Sequence, residues 1–215
     1  EWASRDPTMF EGAHVLDIGA ADGFYALAAA MGGAASVTAI DCDYRDWPLN
    51  LRDLSAAWGM EPVVHTGDFR VFDFARRFDV ILLLGVLYHL EDPIATMRRL
   101  RDLLEPGGRL VVETQLAGVR SDKPVFELAS DEFDTIEPQA TGYVDHVGVS
   151  NFVFPNSLAM LQMARSFGFS CEWEPESPYH ARLPGRRIFY FRKLAEGESW
   201  DPLAARDRLM AAERG

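Results

Sequence analysis

A chain of 215 residues, 48% hydrophobic and 25% charged, is long enough to bury a core of its own and has the balance of an ordinary globular protein. Its formal net charge of −12 disfavours a polyanionic partner, because each phosphate contact needs a cation and the field of the whole molecule repels nucleic acid. No apolar run approaches the roughly 20 residues of a membrane span and no basic-then-apolar signal pattern opens the chain, so one cytoplasmic domain over residues 1–215 without a membrane partner is expected.

In chain order, "HVLDI" reads as a short apolar strand, "GAADGF" as a Gly-rich turn and "YALAAAM" as a helix that stops at Gly32-Gly33. "SVTAID" is a second strand, "DWPLNLRDLSAAWG" a helix ending near Gly59, and "PVVHTGDF" a third strand. "FDVILLLG" is almost continuously apolar, as a parallel strand with both faces covered must be, and belongs at the centre of the sheet. Asp92 is a natural N-cap with Pro93 at the first helical position, and Ile94, Met97, Leu100 and Leu103 recur at helical spacing until Pro106-Gly107-Gly108. "RLVVETQ" is strand five, and residues 116–155 then lack sustained periodicity, as a substrate lid inserted after that strand would. "FPNSLAMLQMARSFGF" reads as a helix capped by Asn156 or Ser157 with Leu158, Leu161, Ala164 and Phe167 inward. "FSCEWEP" and "RRIFYFRKL" are two last strands around a Pro-rich loop, before a frayed Ala-rich helical end. The alternation predicts an α/β fold, a doubly wound Rossmann-like sheet of seven strands. Cys42 and Cys171 form neither a disulfide framework nor a metal cluster and read as buried apolar residues; Arg98, Arg99 and Arg101 read as a solvated helix face.

Ligands of such sheets bind at the carboxyl edge, where "DIGAADGF" lies. A dinucleotide fingerprint needs Gly at its middle position so that the backbone can approach a pyrophosphate, and Ala21 stands there. Asp17 and Asp22 repel a diphosphate and suit a positively charged ligand. Asp41, with Cys42 beside it, closes the second strand at the distance where an acid accepts hydrogen bonds from ribose hydroxyls. Asp68 in "TGDF" is placed to accept from an adenine amino group, with Phe69 alongside to stack or pack. Singly these acids read as loop-orienting or turn residues. In this order, on three successive strand ends, they fit a nucleoside joined to a cationic, amino-acid-like tail, which is S-adenosylmethionine. The candidate cofactor residues are therefore Asp17, Gly19, Ala20, Asp22, Gly23, Asp41, Cys42, Asp68, Phe69 and Gly85.

Through "VLDIGAADG", "VTAID" and "GDF" the chain resembles the class I S-adenosylmethionine-dependent methyltransferases. More narrowly, "GVLYHLEDPIATMRRLRDLLEPGGRLVVET", "NFVFPNSLAMLQMARSFGF" and the opening "EW" resemble the tRNA wobble-uridine methyl- and carboxymethyltransferases. The resemblance implies the class I fold and cofactor. It also implies that Tyr88 matches a family Tyr at the carboxylate of a carboxylated cofactor. Members acting on tRNA tend to carry a basic residue after the His of "GVLYH", where this chain has Leu90, Glu91 and Asp92, and the upstream segment that supplies them a cation is not in this sequence. Ordinary S-adenosylmethionine is the expected cofactor.

Methyl transfer from a sulfonium needs an aligned nucleophile and a dry site, and a general base only where the attacking atom keeps its proton at neutral pH. Tyr88 and His89 follow the central strand at the cofactor edge. His89 is the candidate base; its other reading is an imidazole that donates to a backbone carbonyl and packs under the next helix. His146, in the predicted lid beside Asp145, is the rival base, and Glu113 and Tyr143 join Tyr88 as candidate substrate residues. Asp131, Glu132, Asp134 and Glu137 read as a solvated acidic loop and not as a divalent metal site, so no metal is expected. The expected activity is transfer to an O or N atom of a small-molecule acceptor in specialised metabolism. One alternative is a tRNA wobble-uridine enzyme, which a continuous basic stripe at the cleft would favour. Another is a non-catalytic cofactor-binding subunit, favoured if Phe152 or Phe154 fills the space above Tyr88. Nothing in the sequence fixes an oligomeric state.

Overall fold

A computed structural model of the chain describes residues 8–42, 62–128, 153–173 and 185–200. In chain order its elements are β1 (His14–Ile18), α1 (Phe24–Met31), β2 (Ser36–Asp41), β3 (Val63–Thr66), β4 (Phe78–Leu84), a 3₁₀ turn (Leu87–His89), α2 (Pro93–Leu103) and β5 (Leu104–Gln115). There follow β6 (Phe126–Leu128), β7 (Val153–Pro155), α3 (Ser157–Ser166), β8 (Phe169–Trp173) and β9 (Arg186–Lys193). Seven strands form one sheet in the order β3-β2-β1-β4-β5-β9-β8. β1 to β5 run parallel, while β9 is antiparallel to both β5 and β8. This is the doubly wound sheet the alternation predicts, with β4 near its middle. No helix among the described residues is long and apolar enough to cross a membrane.

The strands' two-residue period divides the core into two layers. Val15, Val37, Ala39, Val80, Leu82 and Val111 lie in one cluster with Ala26 and Ala29 of α1. Leu16, Ile18, Ile81, Leu83 and Val112 lie in the other, with Met97 and Leu100 of α2 and Met160 of α3. β4 is apolar at consecutive positions because it faces both layers.

α2 begins where its cap predicts: the Asp92 side chain accepts from the Ala95 N–H at 2.8 Å, and Pro93 occupies the first turn. Its buried face is Pro93, Thr96, Met97, Leu100 and Leu103, whereas Ile94, expected inward, is 50% exposed. The α3 cap is Asn156, which accepts from Ala159 N–H at 2.8 Å and Val125 N–H at 3.1 Å and donates to the Lys123 carbonyl at 2.8 Å. By holding residues 123–125 as well as the helix, it sets the helix rotation. Ala159, Met160, Met163 and Ala164 are buried, and Leu158, expected inward, is exposed. Cys42 and Cys171 are half-buried, not fully buried as expected.

Two boundaries differ from the sequence reading. The β5 ladder begins at Leu104, before Arg109, with an irregularity between the pairs Phe78↔Leu104 and Val80↔Arg109. Gly108 permits that close passage, since a Cβ there would lie 2.9 Å from the Glu105 carbonyl oxygen. Second, the stretch expected to lack regular structure contains an antiparallel two-stranded ribbon, Phe126↔Pro155 to Leu128↔Val153. Each strand has three residues, too few for a period-2 signal, and their pairing spans a long sequence separation. The predicted helix over 46–59, the Pro-rich loop over 174–184, the terminal helix after Trp200, His146, Tyr143, Phe152 and the four lid acids lie outside the described residues.

Candidate active site

The carboxyl ends of β1 to β4 converge on a cleft of about 410 Å³. Its walls are the four loops that leave those strands: Gly19 and Ala21, then Asp41 and Cys42, then Asp68 to Arg70, then Gly85 to Leu90. Backbone bonds carry the sheet ladder into these loops, with Gly19 N–H donating to Ile40 O at 2.9 Å, Gly67 N–H to Asp41 O at 2.8 Å and Gly85 N–H to Glu113 O at 3.0 Å.

The Gly-rich turn is shaped by three left-handed residues, Gly19 (φ 72°), Ala21 (φ 44°) and Gly23 (φ 79°). A Cβ on Gly19 would fall 2.3 Å from the Val86 side chain, so the β1 and β4 loops can meet only with glycine there. Ala21 holds its conformation because its N–H donates to Asp41 Oδ2 at 2.8 Å. The other Asp41 oxygen accepts from the Cys42 N–H at 2.7 Å. Asp41 thus ties the turn to β2 while lining the cleft. Burial raises its pKa, and the bonds from Ala21 and Cys42 partly offset that rise.

Asp17 is not a cleft wall. It is 1% exposed, beneath the turn and against the start of α1. Gly23, the N-cap of α1, has no side chain to satisfy the helix's first N–H groups, and the Asp17 carboxyl meets the Ala26 N–H. Its Oδ2 has no partner among the described residues. Burial pushes its pKa up to about 7, with the Asp41 charge adding to the rise and the Ala26 bond opposing it. Ala20 is buried in the α1 layer, and Asp22 is exposed at the turn.

Asp68 lines the cleft, with both carboxylate oxygens engaged by Arg70, while Phe69 is buried behind them. Arg70 is the one Lys or Arg side chain among the described cleft residues, and these form no continuous basic stripe.

Tyr88 and His89 stand on the 3₁₀ turn after β4, their ring centroids 4.2 Å apart, and both reach the cleft. His89 lies half-buried. Tyr88 is 3% exposed, its hydroxyl bonded to the Arg186 guanidinium, which also lies over its ring at 4.7 Å. Arg186 pairs with Glu113 at 3.0 Å, both side chains buried. Glu113, expected to orient a substrate, therefore meets the β9 cation, and Gly85 lies against all three groups. Phe154 is buried 6.5 Å from Tyr88, and the cleft beside it stays open. Arg186 and Arg70 were missed from sequence. The available signal for Arg186 was a pair of arginines opening an otherwise apolar strand, opposite a strand that ends in Glu.

The cleft suits an adenosyl sulfonium. It has a volume of the right order for a small ligand, acids at the ends of β2 and β3, a close glycine approach of two loops, and beneath the Gly-rich turn a buried carboxyl oxygen without a partner among the described residues.

Comparison with known proteins agrees. The family described as "Methyltransferase domain" matches residues 4–172. A tRNA U34 carboxymethyltransferase of Desulfotalea psychrophila is 32% identical over 116 residues, covering 53% of this chain and 35% of the relative. One from Methylococcus capsulatus is 35% identical over 108 residues, covering 48% and 32%. The chain spans about a third of the length of these curated relatives. The 1,6-didemethyltoxoflavin-N1-methyltransferase of Burkholderia thailandensis, solved with S-adenosylhomocysteine, superposes with a TM-score of 0.63 at 18% identity, over 89% of this chain and 81% of that one. A Synechocystis magnesium protoporphyrin IX methyltransferase gives 0.62 at 17%, over 89% and 78%. At these identities the two structures bear on the fold alone.

Proposed function

The chain belongs to the methyltransferase-domain family, and from that premise we propose that it transfers the methyl group of S-adenosylmethionine to an oxygen or nitrogen of a small-molecule acceptor. The observation that carries this reading is the cleft itself: Asp41 and Asp68 at the ends of β2 and β3 line it, and the one cation among its described residues, Arg70, is already paired with Asp68. Bound S-adenosylmethionine supplies the methyl group and its own leaving group. Asp41 would receive the ribose hydroxyls and Asp68 the adenine amine, while the Gly19 turn admits the tail and the buried Asp17, its pKa raised to about 7, lies beneath that turn, where a bound cation would favour its ionised form. The rigid β4 scaffold presents His89 beside the cleft, where its imidazole can take the acceptor's proton, and the buried Tyr88 and Phe154 exclude water from that side.

A second reading has one observation in its favour. Carboxymethyl transfer to a tRNA wobble uridine needs a cation for the cofactor's carboxylate, and Arg186 offers one against Tyr88. Glu113 already balances that charge, and Glu91 and Asp92 follow His89 where an RNA phosphate would want a base.

Calorimetric titration with S-adenosylmethionine and its carboxylated analogue distinguishes the two, followed by methyl-transfer screening of metabolites and unmodified tRNA. We expect tighter binding of the ordinary cofactor and transfer to metabolites; preference for the analogue and transfer to tRNA reverses the order. His89→Ala should lower kcat about 10²-fold or more with little change in cofactor Kd. Equal turnover would return His89 to a packing role.

A further inference from the structure

Arg70 enters the cleft from the loop after β3 and grips Asp68. Its Nε lies 3.0 Å from both oxygens of Asp68, its Nη2 2.8 Å from Oδ2, and its backbone N–H donates to Oδ1 at 2.9 Å. Its Nη1 faces Glu91 at 3.9 Å, on the segment between the 3₁₀ turn and α2. The Asp68 side chain is 40% exposed, so without this grip it would exchange rotamers in solvent.

We propose that Arg70 is a positioning residue that makes the cleft selective for a purine with an amino group at C6, by holding Asp68 in one orientation as an ionised carboxylate. The proposal rests on the reading of Asp68 as the adenine acceptor. An ionised carboxylate has only acceptor lone pairs, whereas a carboxamide or a carboxylic acid can also donate. A guanidinium fork engages both oxygens at once and resists rotation of the carboxylate plane, which a point charge does not. Partial burial alone would raise the Asp68 pKa; the bonds from Arg70 more than reverse this and hold it below the usual carboxylate range. The wall at Asp68 therefore accepts a 6-amino group and repels a 6-oxo group. Because the orientation is fixed beforehand, binding does not have to order it.

The test is the ratio of two dissociation constants, for S-adenosylhomocysteine and S-inosylhomocysteine, which carries a 6-oxo group. It is measured by calorimetry for wild type, R70A, R70K and D68N, with melting curves to confirm folding. Wild type should prefer the adenosyl ligand by about 10-fold or more. D68N should erase the preference, because its amide can turn to donate. R70A should shrink the ratio by about 3-fold or more while leaving inosyl affinity nearly unchanged, and R70K, with the charge but not the fork, should fall between. A wild-type ratio in R70A and R70K while D68N loses it overturns the role of Arg70 and leaves the Asp68 reading standing. An equal loss for both ligands in the Arg70 variants also overturns it, as general loosening of the loop. A wild-type ratio in D68N overturns the Asp68 reading and the proposal together.

Discussion

Two carboxyl groups sit on the strands that flank β4, and both are sealed from water: Asp17 on β1 is 1% exposed and Glu113 on β5 is 4% exposed. Glu113 meets the Arg186 guanidinium at 3.0 Å, and the Tyr88 hydroxyl bonds the same guanidinium. Asp17 has one backbone N–H and the neighbouring charge of Asp41, and it holds its proton up to about pH 7. A buried ion that has its counterion stays charged; a buried carboxyl without one stays neutral until neutrality is reached. The difference divides the site. The side toward β5 pairs its charges within the chain, while under the Gly-rich turn no positive charge meets Asp17 among the described residues; a sulfonium in the cleft would bring one.

The strongest way to break this comparison is to remove the cation from the complete side. Arg186→Met should lower stability by about 3–5 kcal/mol in urea denaturation, because Glu113 is left buried and uncompensated. Adding Glu113→Gln should restore most of the loss, and a single variant as stable as wild type would mean that the pair is not a closed unit. The incomplete side is sharpened by Asp17→Asn. Between about pH 4 and 7 the unfolded chain has released this proton while the folded chain retains it, so wild-type stability falls as the pH rises through that window. The variant has no such proton, and its stability relative to wild type should grow across the window by about 3 kcal/mol in denaturation series at fixed pH. The slope does not vanish, since Asp41 is shifted in the same direction. A constant gap at every pH would show that Asp17 is charged in the folded protein. The smallest effect is expected at Asp41. Asp41→Ala should weaken S-adenosylhomocysteine binding by about 1–3 kcal/mol by calorimetry, through lost ribose bonds and a turn freed from β2. Unchanged affinity would remove Asp41 from the site.

The two sides also differ in how they can be read from sequence. The cofactor half is built by contiguous segments: a strand, its loop and the next helix are neighbours in the chain, so "DIGAADG", "TAID" and "GDF" each announce a strand end and the chemistry placed there. The core of β4 was legible for the same reason, since a continuous apolar run has one explanation in a parallel sheet. The Glu113–Arg186 pair joins residues 73 positions apart through an antiparallel register that no local pattern encodes. Arg70 is near in sequence, but its grip on Asp68 depends on side-chain direction, which spacing does not give. The inward face of α3 is displaced from its apolar stripe because its cap, Asn156, also holds residues 123–125, while on α2 the buried face includes Pro93 and Thr96 and leaves Ile94 outside.

The β6–β7 ribbon has a consequence for how this scaffold can change. Leu128 and Val153 are paired across neighbouring strands, so the chain departs for residues 129–152 and returns at almost the same point. Closing a loop depends only logarithmically on its length, and doubling a flexible one costs about 0.6 kcal/mol. A change of chain length between Leu128 and Val153 would therefore leave the pairings of the seven-stranded sheet, and the cleft at its carboxyl edge, as they are.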